Sequence, residues 1–533
     1  MRPERTPEEK AQSRAIHAGF QVAGGVGWVV CALMAGAVLL SGRGDAPGWL
    51  FGRARPSAPS GGRWTNRNSA VAFADWGPEP FARARREGKL VLLFIGPEFS
   101  APTKRMEAEV FGDKGTALFV EKRFVPVRVD AAEFPDLDRR YRARGWPTTA
   151  LLTPEGVVVD AGGATTKELF GLWAKAVADR AAERPEALAR AVAEAEAKRR
   201  EDDARRDSAA AAAPGPADAR VLQTLLSSWD PARRTFDREG PRFPRFERVA
   251  ALAALPETWA RDLAAEAAKG TLIFQDPRDG GFRRAAAPDG TVIAQERVAA
   301  DQAAALDALC ALEPEAARRE LVFLSASFAP KDGPARYHGW QAGYALTKDF
   351  HEATDGPDWV DVRREGWWPL GNARLGDDSE LARAVLDCRV SPADARAHAS
   401  AVVRRAARDF DAAAKRRDPR LLLDDALGIG GALLAAGRAA DAARVRAWLE
   451  ASLADGPRYL DRLATGVLPP ETDRLADPAL NARALAFLER LAAALPPGAA
   501  RDSARARAGV LRAWLARRSD RLDPAVWASL NPR

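Results

Sequence analysis

Residues 90–96 read LVLLFIG, an apolar run with the length and composition of a buried parallel strand. After a loop at 97–103, apolar side chains recur at helical spacing over residues 106–119, and this stretch predicts a helix that packs against a sheet. The run FVPVRVD at 124–130 predicts a second buried strand. The chain therefore begins its first recognisable domain with a strand, a helix and a strand.

The second half of this domain is predicted to contain a hairpin. ALL at 150–152 predicts a third strand, and the turn PEG at 154–156 leads into VVV at 157–159 as its antiparallel partner. Helices are predicted at 136–143 and 167–179. The resulting β-α-β-α-β-β-α order resembles thioredoxin, and we place the thioredoxin-like domain at residues 69–183.

The resemblance to thioredoxin implies a redox site that this chain has lost. In that fold a Cys-x-x-Cys motif stands where residues 100–103 read SAPT, and a cis-proline faces it at the position of Pro147. No cysteine lies within residues 69–183. Thiol exchange needs a thiolate at a helix amino terminus, and the hydroxyl groups of Ser100 and Thr103 ionise far above ambient pH. We predict a degenerate site made of Ser100, Thr103, Trp146 and Pro147, whose groove could still hold an extended peptide.

Composition limits the classes of function. The 533 residues suggest two to four domains, and the net charge of +7 comes without a basic block interleaved with aromatic residues, so no nucleic-acid partner is predicted. The 4 histidines show no metal-ligand spacing, and neither a metal nor another cofactor is predicted. Cys310 and Cys388 lie far apart in the sequence, and no disulfide framework is predicted.

The amino-terminal part predicts a membrane anchor. Residues 15–42 contain no Asp, Glu, Lys or Arg and are long enough for one transmembrane helix, although a cleaved signal peptide is the alternative. This interpretation makes residues 1–14 a cytoplasmic tail and residues 43–68 a Gly/Pro/Ser-rich linker. The protein is then a single-pass membrane protein with an extracytoplasmic body, and the membrane is one of its predicted partners.

The carboxyl-terminal part predicts helices almost throughout. Residues 184–217 are a charged helix followed by an Ala/Pro-rich linker, and residues 218–533 form an all-α domain. No fixed repeat period supports a solenoid, and periodicity alone does not distinguish an open array of helical hairpins from a closed α/α toroid. The predicted helices are 249–254, 258–269, 295–312, 314–327, 378–387, 392–416, 421–436, 439–453, 478–495 and 500–518.

Several motifs together resemble the YyaL-like thioredoxin-domain family, which is similar to the spermatogenesis-associated thioredoxin-domain proteins of animals. The motifs in the thioredoxin-like domain are IG at 95–96, MEAEVF at 106–111, VD at 129–130, PDLD at 135–138 and GWP at 145–147. Those beyond the linker are PRFP at 241–244, DGGFR at 279–283, ER at 296–297 and DQA at 301–303. The resemblance implies a thioredoxin-like domain followed by an α/α toroid like that of six-hairpin glycosidases and sugar epimerases.

Two functional hypotheses follow. The first is a redox-inactive binding or scaffolding protein with a peptide or protein partner at the thioredoxin-like groove. The alternative is an enzyme that acts on a sugar or similar polar metabolite through two carboxyl groups, one protonated and one ionised, at the toroid mouth. Redox activity of Cys310 or Cys388 is a weaker third reading. The candidate carboxylates are Asp276, Asp279, Glu296 and Asp301, with Asp424 and Asp425 as further candidates.

Overall fold

We describe the fold from a computed structural model of the chain. The structure describes residues 69–97, 100–143, 145–208, 225–294, 296–330, 333–342, 368–372, 374–463, 466–468 and 475–518, and near the carboxyl end 522, 523, 526 and 530. The predicted tail, transmembrane segment and linker at 1–68 lie outside the described residues.

The prediction of a transmembrane helix, and with it a single-pass membrane location, has to be corrected. Among the described residues, no helix combines the length and the apolar character that crossing a bilayer requires. The two longest helices, Pro185–Ser208 and Ala393–Arg416, have 24 residues each and carry charged side chains along their length. On this finding we withdraw the predicted anchor. Residues 15–42, on which that prediction rested, lie outside the described residues.

A five-stranded mixed sheet forms the centre of the thioredoxin-like domain. Its order is β1-β3-β2-β4-β5, with β1, β2 and β3 parallel and β4 and β5 antiparallel to their neighbours. Every residue of β2 and β3 is buried, which explains why both read as continuous apolar runs. The strands are β1 Ala74–Asp75, β2 Leu90–Ile95, β3 Phe124–Val129, β4 Thr148–Leu152 and β5 Val158–Gly162.

Helices cover both faces of this sheet. One face packs Phe94, Phe111 and Phe170 into an aromatic core, and the other packs Phe81 against Val91 and Leu93. Sequence reasoning did not find α1, although it begins with a proline and ends at Gly88 in the left-handed region, two ordinary helix boundary signals. The helices are α1 Pro78–Glu87, α2 Ala101–Glu109, α3 Lys114–Arg123, α4 Pro135–Tyr141, α5 Lys167–Glu183 and the charged α6 Pro185–Ser208.

The part of the chain after residue 225, which we call the helical part, contains five helical hairpins among its described residues. Three short antiparallel sheets accompany them, made of β6 Ala285–Ala286 with β7 Val292–Ala294, β8 Arg297–Val298 with β9 His338–Ala342 and β10 Trp368–Asn372, and β11 Ala454–Asp455 with β12 Arg458–Tyr459. The helices are α7 Phe246–Ala253, α8 Thr258–Thr271, α9 Ala299–Leu309, α10 Pro314–Phe323, α11 Leu375–Asp387, α12 Ala393–Arg416, α13 Leu423–Ala435, α14 Ala439–Ser452, α15 Pro478–Ala494 and α16 Ala499–Ala516.

The first helices of the five hairpins pack against one another in chain order, α7 on α9, α9 on α11, α11 on α13 and α13 on α15. The end of the chain then returns to the first hairpin. Arg248 of α7 donates a 2.8 Å hydrogen bond to Asp523, and Val526 packs against the cores of both the first and the later hairpins. This succession is the one expected of an α/α toroid.

The two parts of the chain are joined by ion pairs and apolar contacts. Asp136 and Arg139 of α4 pair with Arg462 at 2.7 Å and Asp477 at 3.2 Å. Leu468, which is buried, enters the core of the thioredoxin-like domain beside Tyr141. The thioredoxin-like domain is thus docked on the helical part through the side that carries α4.

A disulfide joins Cys310 to Cys388, at the carboxyl ends of α9 and α11. The expectation that the two cysteines do not pair was therefore wrong. Although they are 78 residues apart in the sequence, α9 and α11 are neighbouring inner helices that end on the same side. Both sulfur atoms are in the disulfide, so neither residue is a free thiol in this structure.

Candidate functional site

The residues that replace the redox cysteines are sealed inside the domain. Ser100 is 6% exposed and Thr103 is fully buried. Thr103 packs so closely on Gly96 that a Cβ atom at that glycine would lie 2.4 Å from the Thr103 hydroxyl oxygen. Ser100 is the N-cap residue of α2, but its side chain makes no capping hydrogen bond. Neither hydroxyl is placed to act as a nucleophile.

The peptide bond between Trp146 and Pro147 is cis, and this loop faces the helical part. The Trp146 indole donates a 2.9 Å hydrogen bond to Asp138, and Arg142 and Arg284 stack on its ring at 5.3 and 4.8 Å. Burial raises the pKa of Asp138, although the nearby Arg142 opposes this shift. Trp146 is thereby held by groups from both parts of the chain.

A cavity of about 300 Å³ lies beside the cis-proline loop. It is lined by Met106, Thr149, residues 161–165, Leu169, Phe170 and Trp173. Its glycine-containing loop passes close to Pro147, because a Cβ atom at Gly163 would lie 3.8 Å from the Pro147 carbonyl oxygen. We call this space the groove cavity.

The groove cavity combines an unused polar group with an apolar rim. Thr149 is 1% exposed, and its hydroxyl oxygen has no hydrogen-bond partner in the structure. Leu169, which lines the cavity, and Leu172, three residues further along α5, are 59% and 69% exposed. Buried polar groups normally have partners, and Thr149 is an exception that lies in the wall of this cavity.

The predicted carboxylates Asp276 and Asp279 are tied to arginine side chains. Arg297, which is fully buried, bonds to Asp276 at 2.8 Å and to Asp279 at 2.9 Å. Burial acts to raise the pKa of Asp276, but hydrogen bonds from Arg278 and the charges of Arg283 and Arg297 outweigh it and hold this pKa at about 2. Both carboxylates are therefore engaged with Arg297, which joins the segment 276–279 to β8.

Asp301 and Glu296 are the next two predicted carboxylates. Asp301 accepts a 2.7 Å hydrogen bond from Arg284, the same arginine that stacks on Trp146. Glu296 is half-buried and immediately precedes β8. The structure thus places Asp301 at the contact between the two parts of the chain.

Asp424 and Asp425 lie at the amino terminus of α13, where they meet Arg374. Asp425 accepts hydrogen bonds from the backbone nitrogens of Gly376 at 2.8 Å and Leu422 at 3.0 Å, so its role is structural. Asp424 bonds to Arg374 at 3.4 Å and also pairs with Arg483. Burial opposes ionisation of Asp424, yet the two arginines hold its pKa well below the usual range.

Asp377, which sequence reasoning missed, completes this cluster. It lies 3.9 Å from the same Arg374 nitrogen that contacts Asp424. Burial, reinforced by the charges of Asp424 and Asp425, raises the pKa of Asp377 to about 6 against the attraction of Arg374. A carboxyl group with a raised pKa and one with a lowered pKa therefore share Arg374 as a partner.

Two arginines join the inner helices of the helical part. Arg383 of α11 bonds to Asp307 of α9 at 3.0 Å and to Glu380 and Asp387 at 2.8 and 3.1 Å. Arg483 of α15 pairs with Asp424 of α13 and, at 3.5 Å, with Glu380. Charged side chains that bind one another thus link α9 to α11 and link α15 to both α11 and α13.

Comparison with known proteins identifies the first domain. Residues 63–180 match a family described as "Protein of unknown function, DUF255" (Thioredox_DsbH). The uncharacterized protein B0495.5 of Caenorhabditis elegans is 32% identical over 96 residues, which cover 16% of this chain and 13% of that protein. Spermatogenesis-associated protein 20 of Homo sapiens is 34% identical over 92 residues, which cover 16% and 12%.

The thioredoxin-like domain of this chain is similar to the DsbH/DUF255 thioredoxin-like family and to spermatogenesis-associated protein 20. This confirms the resemblance drawn from the motifs at 95–147. The matched stretch spans 12–13% of the length of these curated relatives. The motifs at 241–303 lie outside the family match, and the resemblance that they suggest stays a prediction.

Sequence reasoning proposed a degenerate site in this domain but did not predict the groove cavity. Trp146, Pro147, Ser100 and Thr103 were recognised by their position relative to the missing cysteines. The sequence signal for the cavity is the glycine pair at 162–163 after a predicted hairpin, which allows close backbone approach. Among the described residues, no cluster of three or more His, Cys, Asp or Glu side chains is arranged for a metal ion.

Proposed function

We propose that this chain is a non-catalytic binding protein whose thioredoxin-like domain holds a segment of a partner protein at the groove cavity. The helical part serves as the body on which that domain is docked. The observation that carries the proposal is the unpartnered, buried Thr149 hydroxyl in a cavity next to cis-Pro147. A peptide group of a bound segment can supply the missing hydrogen bond.

The surroundings of the cavity support a protein ligand. The volume of about 300 Å³ is at the lower end for a small-molecule site and is enough to hold a large side chain. Leu169 and Leu172 offer exposed apolar area beside it, and exposed apolar area at a rim is a common feature of protein interaction sites. The absence of cysteine from residues 69–183 leaves binding, rather than thiol exchange, as the use of the fold.

The test is selection of random peptides displayed on phage against the full chain, followed by affinity measurement of a selected peptide by fluorescence anisotropy. Thr149→Val keeps the side-chain shape and removes the hydroxyl, and we expect binding to weaken about two- to tenfold. Leu172→Lys places a charge on the rim and should weaken binding further. Val322→Lys is the matched control, because Val322 is 65% exposed on α10 of the helical part.

Two outcomes would contradict the proposal. One is a selection that enriches no peptide. The other is a selected peptide that binds Thr149→Val and Leu172→Lys as tightly as the unchanged protein. If Val322→Lys also loses binding, the peptide binds elsewhere, and the groove cavity is not its site.

A second candidate function rests on Asp377 and Asp424. These carboxyl groups share Arg374 as a partner, and their pKa values are shifted in opposite directions. Such a difference in pKa is the arrangement that acid–base catalysis on a sugar or a similar polar metabolite needs. A thermal-shift screen of sugars with the full chain and with Asp377→Asn tests it. A sugar that stabilises the unchanged protein but not the variant would favour this function, and identical responses of both proteins would exclude it.

A further inference from the structure

The strand β5 is the outer strand of the sheet, and on its far side no described residue pairs with it. It leads directly into the loop that lines the groove cavity, because Ala161 and Gly162 belong to both. An outer strand presents backbone donors and acceptors that match another extended chain. The edge of β5 and the groove cavity therefore form one continuous surface.

The hydrogen bonds of Asp160 protect this edge. The backbone nitrogen of Ala161 donates to Asp160 Oδ1 at 2.8 Å, and the Trp173 indole donates to Asp160 Oδ2 at 3.1 Å. The Ala161 N–H is thus bonded to a side chain of its own strand. The pairing of β5 with β4 also shifts register at Val159, and such bulges make an edge less able to pair. Asp160 thus occupies the backbone donor that an added strand would use.

We propose that the partner segment binds as an additional strand on β5, with one large apolar side chain in the groove cavity and a lysine or arginine facing Asp160. This inference rests on the proposed function and specifies the ligand of the same site. On binding, a carbonyl oxygen of the segment accepts the Ala161 N–H, and Asp160 Oδ1, released from that bond, accepts a hydrogen bond from the basic side chain. The Trp173 indole keeps its bond to Asp160 Oδ2.

The charge and backbone of β5 favour this occupant over a second copy of the chain. Two β5 strands paired symmetrically would bring two Asp160 carboxylates close together, and like charges on paired strands are destabilising. A segment with a basic residue instead complements Asp160. An extended backbone is required because only a chain of regularly spaced amide groups can follow the edge of a strand.

The experiment uses a peptide selected by display against the full chain and measures its affinity by fluorescence anisotropy. Single N-methylation of each peptide amide removes one donor at a time and leaves the protein unchanged. If the peptide adds as a strand, alternate N-methyl groups weaken binding about tenfold and the others do not. Replacing the basic residue of the peptide by alanine should weaken binding to the unchanged protein but not to Asp160→Ala.

Two protein variants complete the test. Ala161→Pro removes the Ala161 N–H and should weaken binding, whereas Ala161→Ser keeps it and should not. The melting temperature of both variants shows whether the fold is retained. The N-methyl series gives the answer independently if Ala161→Pro does not fold.

The possible results separate this inference from the proposed function. If N-methylation has no alternating effect but Thr149→Val still weakens binding, the groove cavity binds a peptide and strand addition is wrong. If neither change matters, both the inference and the proposed function are wrong. If light scattering shows that the full chain forms a dimer that the peptide does not dissociate and that Ala161→Pro disrupts, the edge pairs with a second copy and the inference is overturned.

Discussion

The guanidinium group of Arg284 lies 4.8 Å from the centre of the Trp146 ring, and this contact joins the cis-proline loop to the helical part. Arg284 is held in place by Asp301 at 2.7 Å, while Trp146 is fixed by its hydrogen bond to Asp138. Four residues from two separate regions of the chain thus form a single interaction chain. The cis-proline loop of the thioredoxin-like domain thus also contacts the helical part.

We expect Arg284→Ala to weaken the docking of the thioredoxin-like domain. A cation–π contact contributes about 0.5–2 kcal/mol, and the same change leaves Asp301 without a partner that the structure shows. The measurement is urea unfolding followed by circular dichroism, with Arg261→Ala on the exposed surface of α8 as the control. Equal stability of Arg284→Ala and the control would show that the contact adds nothing.

Removal of the disulfide should destabilise the helical part. Cys310→Ser with Cys388→Ser opens the covalent link between α9 and α11, and loss of a native disulfide that closes a loop of this size typically costs about 2–4 kcal/mol. Unfolding in denaturant, with and without reductant, measures the effect. Reductant should lower the free energy of unfolding of the unchanged protein. It should leave the free energy of unfolding of the double variant unchanged. Quantitative labelling of both thiols in the native, non-reduced protein would contradict the pairing.

Glu320 should make stability fall as the pH rises. It is fully buried, neither carboxylate oxygen has a hydrogen-bond partner, and burial with the nearby charge of Asp307 raises its pKa well above the ordinary value. Above the glutamate pKa of the unfolded chain, the folded form holds one more proton than the unfolded form. The free energy of unfolding therefore decreases with pH, by up to about 1.4 kcal/mol per pH unit, until the pKa of the folded form is reached.

The variant Glu320→Gln isolates this effect. Because glutamine does not titrate, the difference in unfolding free energy between the variant and the unchanged protein should shift in favour of the variant as the pH rises from 5 to 8. Unfolding curves at several pH values give this difference directly. A difference that is constant across this range would show that Glu320 does not carry a raised pKa.

Removing one partner of the ion pair between Glu107 and Arg128 should lower the free energy of unfolding strongly. Replacing both partners with apolar side chains should lower it much less. The two side chains are 4% and 5% exposed and are joined by two hydrogen bonds, of 2.5 and 3.2 Å. Glu107→Leu alone removes the carboxylate that Arg128 binds and leaves the buried arginine charge, at a cost of about 3–5 kcal/mol.

The double variant Glu107→Leu with Arg128→Met removes both charges together. We expect it to recover most of the lost stability, because apolar side chains of similar volume can replace a buried ion pair. A thermal melt of the three proteins provides the comparison. If the double variant is no more stable than the single one, packing rather than charge pairing is what Glu107 supplies.

The apolar patterns of β2, β3 and β4 and the ten helices described in the helical part were predictable from the sequence. These features depend on local periodicity, and the observed bounds differ from the predicted ones by a few residues in most cases. The single helix predicted over residues 106–119 was wrong, because the chain forms two helices there, α2 and α3, with Asp113 as the N-cap of the second. The degenerate site at Ser100 and Thr103 stays a prediction, made from the absence of cysteine at these positions. The family assignment of the domain follows from the same motifs.

Other features depend on which residues meet in space, and the sequence alone did not determine them. Cys310 and Cys388 pair because two inner helices end together, and Asp377 and Asp424 meet through Arg374. Thr149 lines a cavity that three separate segments build. Hydrophobic periodicity determines which face of an element is buried, since that depends on near neighbours in the chain. The element that covers that face is set by contacts between distant segments of the chain. The same contacts determine which polar groups have hydrogen-bond partners, so only the tertiary structure decides both.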